Sequence, residues 1–123
     1  MKKVLLDTNA LMAMVEFKID LFSEIAKTLD FPVTICILQG TMNELMKIIV
    51  GESPKHAKAA KLAQTLIKKK DIEIMPSPND VDNQLEKYSR QGYLILTQDK
   101  ELKRKLIKPY LIIRQMKKIV LVK

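Results

Sequence analysis

The sequence predicts an α/β fold, a three-layer α/β/α sandwich with a mainly parallel central sheet, and three observations carry that expectation. Apolar runs without polar interruption, such as Val4-Leu5-Leu6 and Leu94-Ile95-Leu96, read as strands buried on both faces. The segments between such runs place apolar residues at helical spacing. Two of the runs also end alike, one in Asp7-Thr8-Asn9 and the other in Thr97-Gln98-Asp99. In open α/β sheets ligands bind at the carboxyl edge, which is where Asp7 and Asp99 are then expected as neighbours.

A length of 123 residues suits one domain, 1–123, large enough to fold without disulfides or structural metal. No internal repeat or low-complexity segment divides it. The single Cys36 lies in Val33-Thr34-Ile35-Cys36-Ile37 and reads as a core thiol in a reducing compartment. Met1 to Leu6 briefly imitates a signal peptide, but Asp7 and Asn9 break the apolar stretch a signal needs. No other run is long enough to span a membrane, so the expectation is a soluble, cytoplasmic protein without membrane contact. The net charge of +8 attracts polyanions, nucleic acid foremost. A Lys-rich, Ile-rich composition also fits heat adaptation, in which surface charge serves stability.

The elements follow in order. After the first strand, Thr8 or Asn9 can begin a helix through Ala10, Leu11 and Met12. Phe22, Ile25, Ala26 and Leu29 predict a second helix that stops near Asp30, before Phe31-Pro32. Val33 to Ile37 is β-branched and apolar, a second strand, which leads through Gln39-Gly40-Thr41 into a helix with Met42, Leu45, Met46 and Ile49 on its apolar face. Glu44 lies close to that face. Gly51 ends this helix, Ser53 caps the next and Pro54 starts it. That helix runs to about Lys70 with Ala59, Ala60, Ala63, Leu66 and Ile67 inward; Lys55, Lys58, Lys61 and Lys68 to Lys70 read as a solvated face.

Ile72 to Met75 is a short strand closed by Pro76-Ser77-Pro78, a turn. Asn79 or Asp80 caps a helix carrying Val81, Leu85 and Tyr88 and stopping at Gly92. Tyr93 to Thr97 repeats the opening strand. Asp99 or Lys100 opens a short basic helix ended by Lys108-Pro109, and Tyr110 to Ile113 and Ile119 to Val122 are the last strands.

Glu44 and Asp82 can reach the crevice beside Asp7 and Asp99. Gathering carboxylates is unfavourable alone, since two unit charges about 4 Å apart repel by roughly 4 kcal/mol at an effective dielectric near 20. A hard divalent cation removes the conflict, and carboxylate oxygens suit Mg²⁺ or Mn²⁺. Bound metal can activate water and stabilise charge on a scissile phosphate, which makes phosphodiester hydrolysis the reaction class. His56, the only histidine, lies far in sequence from the acids, and no Ser-His-Asp or Cys-His set can be assembled. Singly, each acid also reads as a helix cap or a first-turn dipole partner.

Asp7-Thr8-Asn9 after the first strand, Glu44, Asp82 and Thr97-Gln98-Asp99 together resemble PIN-domain nucleases over essentially the whole chain. The pattern is most similar to small archaeal PIN proteins related to VapC-type toxins and to the ribosomal RNA processing endonuclease of the small subunit. The resemblance implies Mg²⁺- or Mn²⁺-dependent RNA cleavage with Asp7, Glu44, Asp82 and Asp99 as catalytic and metal-holding acids. It implies Thr8, Asn9 and Thr97 as supporting residues, and Glu101 as an additional acid. It further implies an antitoxin or ribosome-assembly partner, and a homodimer. Related chains often carry two adjacent Asp where this one reads Asp82-Asn83, with an amide in the second place. Lys100, Lys103, Arg104 and Lys105 flank Asp99 and are the RNA-contact candidates. Two functions follow: a toxin-type or ribosomal RNA processing-type endoribonuclease, or a non-catalytic RNA-binding or assembly module with a degenerate site.

Overall fold

In the computed structural model, which describes all residues from Met1 to Lys123, six strands alternate with six helices. The chain runs β1 (Lys2–Leu6), α1 (Thr8–Glu16), α2 (Leu21–Thr28), β2 (Val33–Leu38), α3 (Gln39–Gly51) and α4 (Pro54–Lys69). It continues through β3 (Glu73–Met75), α5 (Val81–Arg90), β4 (Leu94–Leu96), α6 (Lys100–Lys105), β5 (Tyr110–Arg114) and β6 (Lys118–Val122). The strands form one sheet in the order β3-β2-β1-β4-β5-β6. All neighbours pair parallel except β5 and β6, an antiparallel edge hairpin. The chain builds outward from β1 to β3 and then returns to place β4 on the other side of β1. That reversal opens a crevice above the carboxyl ends of β1 and β4.

Strand alternation produces the three layers, because successive side chains of a strand face opposite sides of the sheet. Val4, Leu6, Ile37, Leu94 and Leu96 join one buried cluster with Leu11, Met14, Leu21, Ile25, Leu45, Ala60 and Ala63, so α1 to α4 cover that face. Leu5, Cys36, Leu38 and Ile95 join a smaller cluster with Val81, Leu85, Leu102 and Leu106, so α5 and α6 cover the other. Cys36 is buried as expected, and burial pushes its thiol up to about 11. The start of α4 also follows the sequence: Ser53 caps it, its Oγ accepting from the His56 N–H at 3.4 Å, with Pro54 in the first turn. No helix is long and apolar enough to cross a membrane.

Two local readings need correction. Gln39-Gly40-Thr41 is the first turn of α3 rather than a lead-in, since the helix begins directly after β2 with Leu38 as N-cap and no side-chain cap. Gly40 makes this abrupt junction possible. Its N–H donates to Ser77 Oγ at 3.0 Å, and a Cβ there would sit 2.5 Å from the Pro78 carbonyl oxygen and 2.9 Å from Val81 Cγ2. Asp80 is the N-cap of α5 but makes no side-chain bond to the helix backbone. At the far edge, Gln115 and Met116 both hold φ of 56°, and the Lys117 N–H donates to the Arg114 carbonyl, a tight hairpin turn built without glycine.

Candidate active site

The ends of β1 and β4 are joined by hydrogen bonds through side chains. Asp7 caps α1, its Oδ1 accepting from the Thr8 N–H at 2.7 Å, while its Oδ2 accepts from the Thr97 hydroxyl at 2.8 Å. Thr97 is fully buried and acts as the junction: its Oγ1 also accepts from the Asp99 N–H at 3.0 Å. The same oxygen lies 3.3 Å from Asn9 Oδ1, but its single proton goes to the nearer carboxylate. Asn9 Oδ1 in turn accepts from the Gln98 N–H at 3.1 Å. Gln98 extends the stitching to β5, its Oε1 accepting from the Ile113 N–H at 2.8 Å.

Asp7 is only 4 % exposed. Burial pushes its carboxyl from 3.8 up to about 6; the hydrogen bonds from Thr97 and Thr8 work against that rise, and Asp82 and Glu44 add to it by repulsion. Glu44 stands in the second turn of α3 and accepts from the Thr8 hydroxyl through Oε1. Asp82 is in the first turn of α5. Asp99 caps α6, its Oδ1 accepting from the N–H groups of Glu101 at 2.9 Å and Leu102 at 3.4 Å. The four acids, with Thr8 and Asn9, line one cleft of about 800 Å³.

A family model described as "PIN like domain" matches residues 4–118. The chain belongs to the PIN domain family. It is 28% identical to Ribonuclease VapC4 of Methanocaldococcus jannaschii over an alignment covering 95% of this chain and 94% of that protein. Among solved structures it is similar to the PIN domain endonuclease Utp24, with a TM-score of 0.77 and 27% identity over 97% of this chain and 90% of the other. A domain of a functionally unknown protein from Methanocaldococcus jannaschii shares the fold, with a TM-score of 0.58 and 17% identity over 85% of this chain and 83% of that one.

This PIN domain brings Asp7, Glu44, Asp82, Asp99, Thr8 and Asn9 together as the sequence predicts, with Thr97 beneath them. Glu101 is not brought in. It follows the cap by two positions, so the helical path turns its carboxylate outward to Arg104 at 2.9 Å, and that pair is exposed. Of the adjacent Asp82 and Asn83, it is Asp82 that lines the cleft; the Asn83 amide lies 3.5 Å from Asp80 Oδ2.

The cleft also contains Lys55 and Lys58 of α4, which the sequence places on a solvated face, and His56, which lies far in sequence from three of the four acids. Met12, Val15, Ile48, Ala59 and Leu62 line it as well. Lys55, Ala59 and Leu62 stand at helical spacing beside the buried stripe of Ala60, Ala63 and Ile67, the one sequence signal that marks this helix edge as a cleft wall. Glu16 and Glu52 line the cleft too.

The donor set fits a hard divalent cation. Asp7, Glu44, Asp82 and Asp99 offer only oxygen, and none of them takes part in an ion pair with Lys, Arg or His. One oxygen of Glu44 is bonded to Thr8 and one of Asp99 to its own helix, which leaves the second oxygen of each free. No three of the acids stand close enough to enclose an ion.

A second, basic cavity of about 420 Å³ lies between α6 and the β5–β6 hairpin. Lys100, Lys103 and Arg104 line it as RNA-contact candidates, and Arg114 joins them from β5. Lys105 is exposed and is not among the residues that line this groove.

Proposed function

We propose that this PIN domain is a metal-dependent endoribonuclease that hydrolyses RNA phosphodiester bonds. One observation carries the reading: four carboxylates from four separate elements line a single cleft, and none of them is neutralised by a basic side chain. Similarity to a ribonuclease and to a PIN endonuclease supports the substrate class. Asp7, Glu44, Asp82 and Asp99 would hold Mg²⁺ or Mn²⁺, which when bound supplies an activated water and stabilises charge on the scissile phosphate. Thr97 aims Asp7 into the cleft, and Thr8 aims Glu44. Asn9 keeps the β4 end, and with it Asp99, at a set distance from β1. Lys55 and Lys58 in the same cleft, with Lys100, Lys103 and Arg104 following Asp99 in the chain, would supply positive charge for the RNA backbone.

The test is Mn²⁺-dependent cleavage of an end-labelled RNA by purified protein. D7N and D99N should each abolish it without changing the circular dichroism spectrum, and undiminished cleavage by either variant refutes the assignment. The failure of any three acids to converge favours a second reading, an RNA-binding module without metal chemistry. That reading predicts salt-sensitive RNA binding and no thermal shift at millimolar Mn²⁺.

A further inference from the structure

We infer that the groove between α6 and the β5–β6 hairpin is a track for the backbone of single-stranded RNA adjoining the acidic cleft. The inference deepens the proposed function, on which it rests for the identity of the polymer.

Three observations support it. Lys100, Lys103 and Arg104 from α6 and Arg114 from β5 line one cavity whose lining holds no carboxylate. Four cations at close quarters repel one another, as the four acids do in the neighbouring cleft, and a polyanion relieves that repulsion. Arg104 pairs with Glu101 through Nη1 only, on an exposed surface where such pairs are weak, so its remaining N–H donors stay available.

Asp99 lines the cleft and Lys100, the next residue, lines the groove, so the start of α6 contributes to both cavities. The remaining lining is Tyr110, Ile112 and Val122. Aromatic and apolar side chains lining the same cavity as four cations suit a strand whose bases are unstacked and free to lie on the protein. A duplex keeps its base faces stacked and offers such side chains nothing.

Lys105 supplies an internal control. It carries the same charge as Lys103, on the same helix, and lies outside the groove. The experiment measures fluorescence anisotropy of a labelled single-stranded RNA of about 12 nucleotides with the full chain in EDTA, across a salt series. R114A and K103A should each weaken binding by about 5- to 10-fold and reduce the slope of log K against log salt by about 0.7, whereas K105A should change affinity less than about twofold. Unlabelled duplex RNA of the same length should compete far less well than the single strand.

Wild-type binding by both R114A and K103A overturns the track. An equal loss in K105A overturns it too, since the effect then comes from net charge. Equal competition by duplex removes the single-strand assignment. Because binding is read in EDTA, a protein that binds in this way but never cleaves refutes only the nuclease reading, and one that cleaves while R114A and K103A both bind normally refutes only the track.

Discussion

Replacing Asp7 by Asn should remove cleavage and at the same time stabilise the protein, a combination that few structural defects produce. The side chain is 4 % exposed and its carboxyl is raised from 3.8 to about 6, with burial the largest cause. At about 1.36 kcal/mol per pH unit, holding this group ionised in the metal-free fold costs roughly 3 kcal/mol at neutral pH. Because the folded pKa is the higher one, the fold binds the proton more tightly than the unfolded chain does. Stability is therefore greatest below about pH 4 and declines as pH rises towards 6, after which the cost is complete. The substitution is also satisfiable by hydrogen bonds. The new carbonyl can still accept from the Thr8 N–H, the new NH₂ can donate to Thr97 Oγ1, and the Thr97 hydroxyl can turn to Asn9 Oδ1 at 3.3 Å. Urea denaturation in EDTA at pH 4 and pH 7 measures the effect: D7N should gain up to about 3 kcal/mol at pH 7 and lose most of the difference at pH 4. Mn²⁺ should raise the midpoint of the wild type and not that of D7N. A D7N protein no more stable than wild type at pH 7, or one with the same pH dependence, refutes the account of Asp7 as a buried, raised carboxylate.

Other substitutions test the scaffold around the site. T97V removes the donor to Asp7 and the acceptor of the Asp99 N–H, so it should cost about 1–3 kcal/mol and steepen the decline in stability between pH 4 and 7, both read by urea denaturation. G40A drives a Cβ into the Pro78 carbonyl and should cost about 1–3 kcal/mol in the same assay, with Mn²⁺-dependent activity falling as α3 and Glu44 shift. M116G relieves a left-handed residue in the hairpin turn and should raise the urea midpoint by an equivalent of about 1 kcal/mol. Thr41 Oγ1 is buried in α3 without a hydrogen-bond partner, so T41V should be neutral or stabilising by thermal melt; a loss of more than about 1 kcal/mol would show that the hydroxyl has a partner after all.

Local chemistry made much of the fold readable before any coordinates. Uninterrupted apolar runs marked β1, β2 and β4, Ser53-Pro54 marked the start of α4, and the matched endings at Asp7 and Asp99 marked the crevice. These signals lie within a few residues of what they specify. The hairpin turn at Gln115-Met116 was not legible as a turn type, because neither residue is one that normally supplies positive φ. The need for glycine at Gly40 is not legible locally, because its constraint comes from Pro78 and Val81, which lie about forty positions downstream.

The sequence by itself determined which strands end in acid, where α4 begins and that the sheet is mainly parallel, since hydrophobic period and capping act over one or two turns. Only the tertiary structure decided that Lys55, His56 and Lys58 line the acidic cleft, that Glu101 turns away to Arg104, and that Arg114 joins Lys103 in lining one groove. The raised carboxyl of Asp7 belongs with these. Each depends on how separate elements cross and on how much water that crossing excludes, and these are properties of the packed layers rather than of any local stretch of chain.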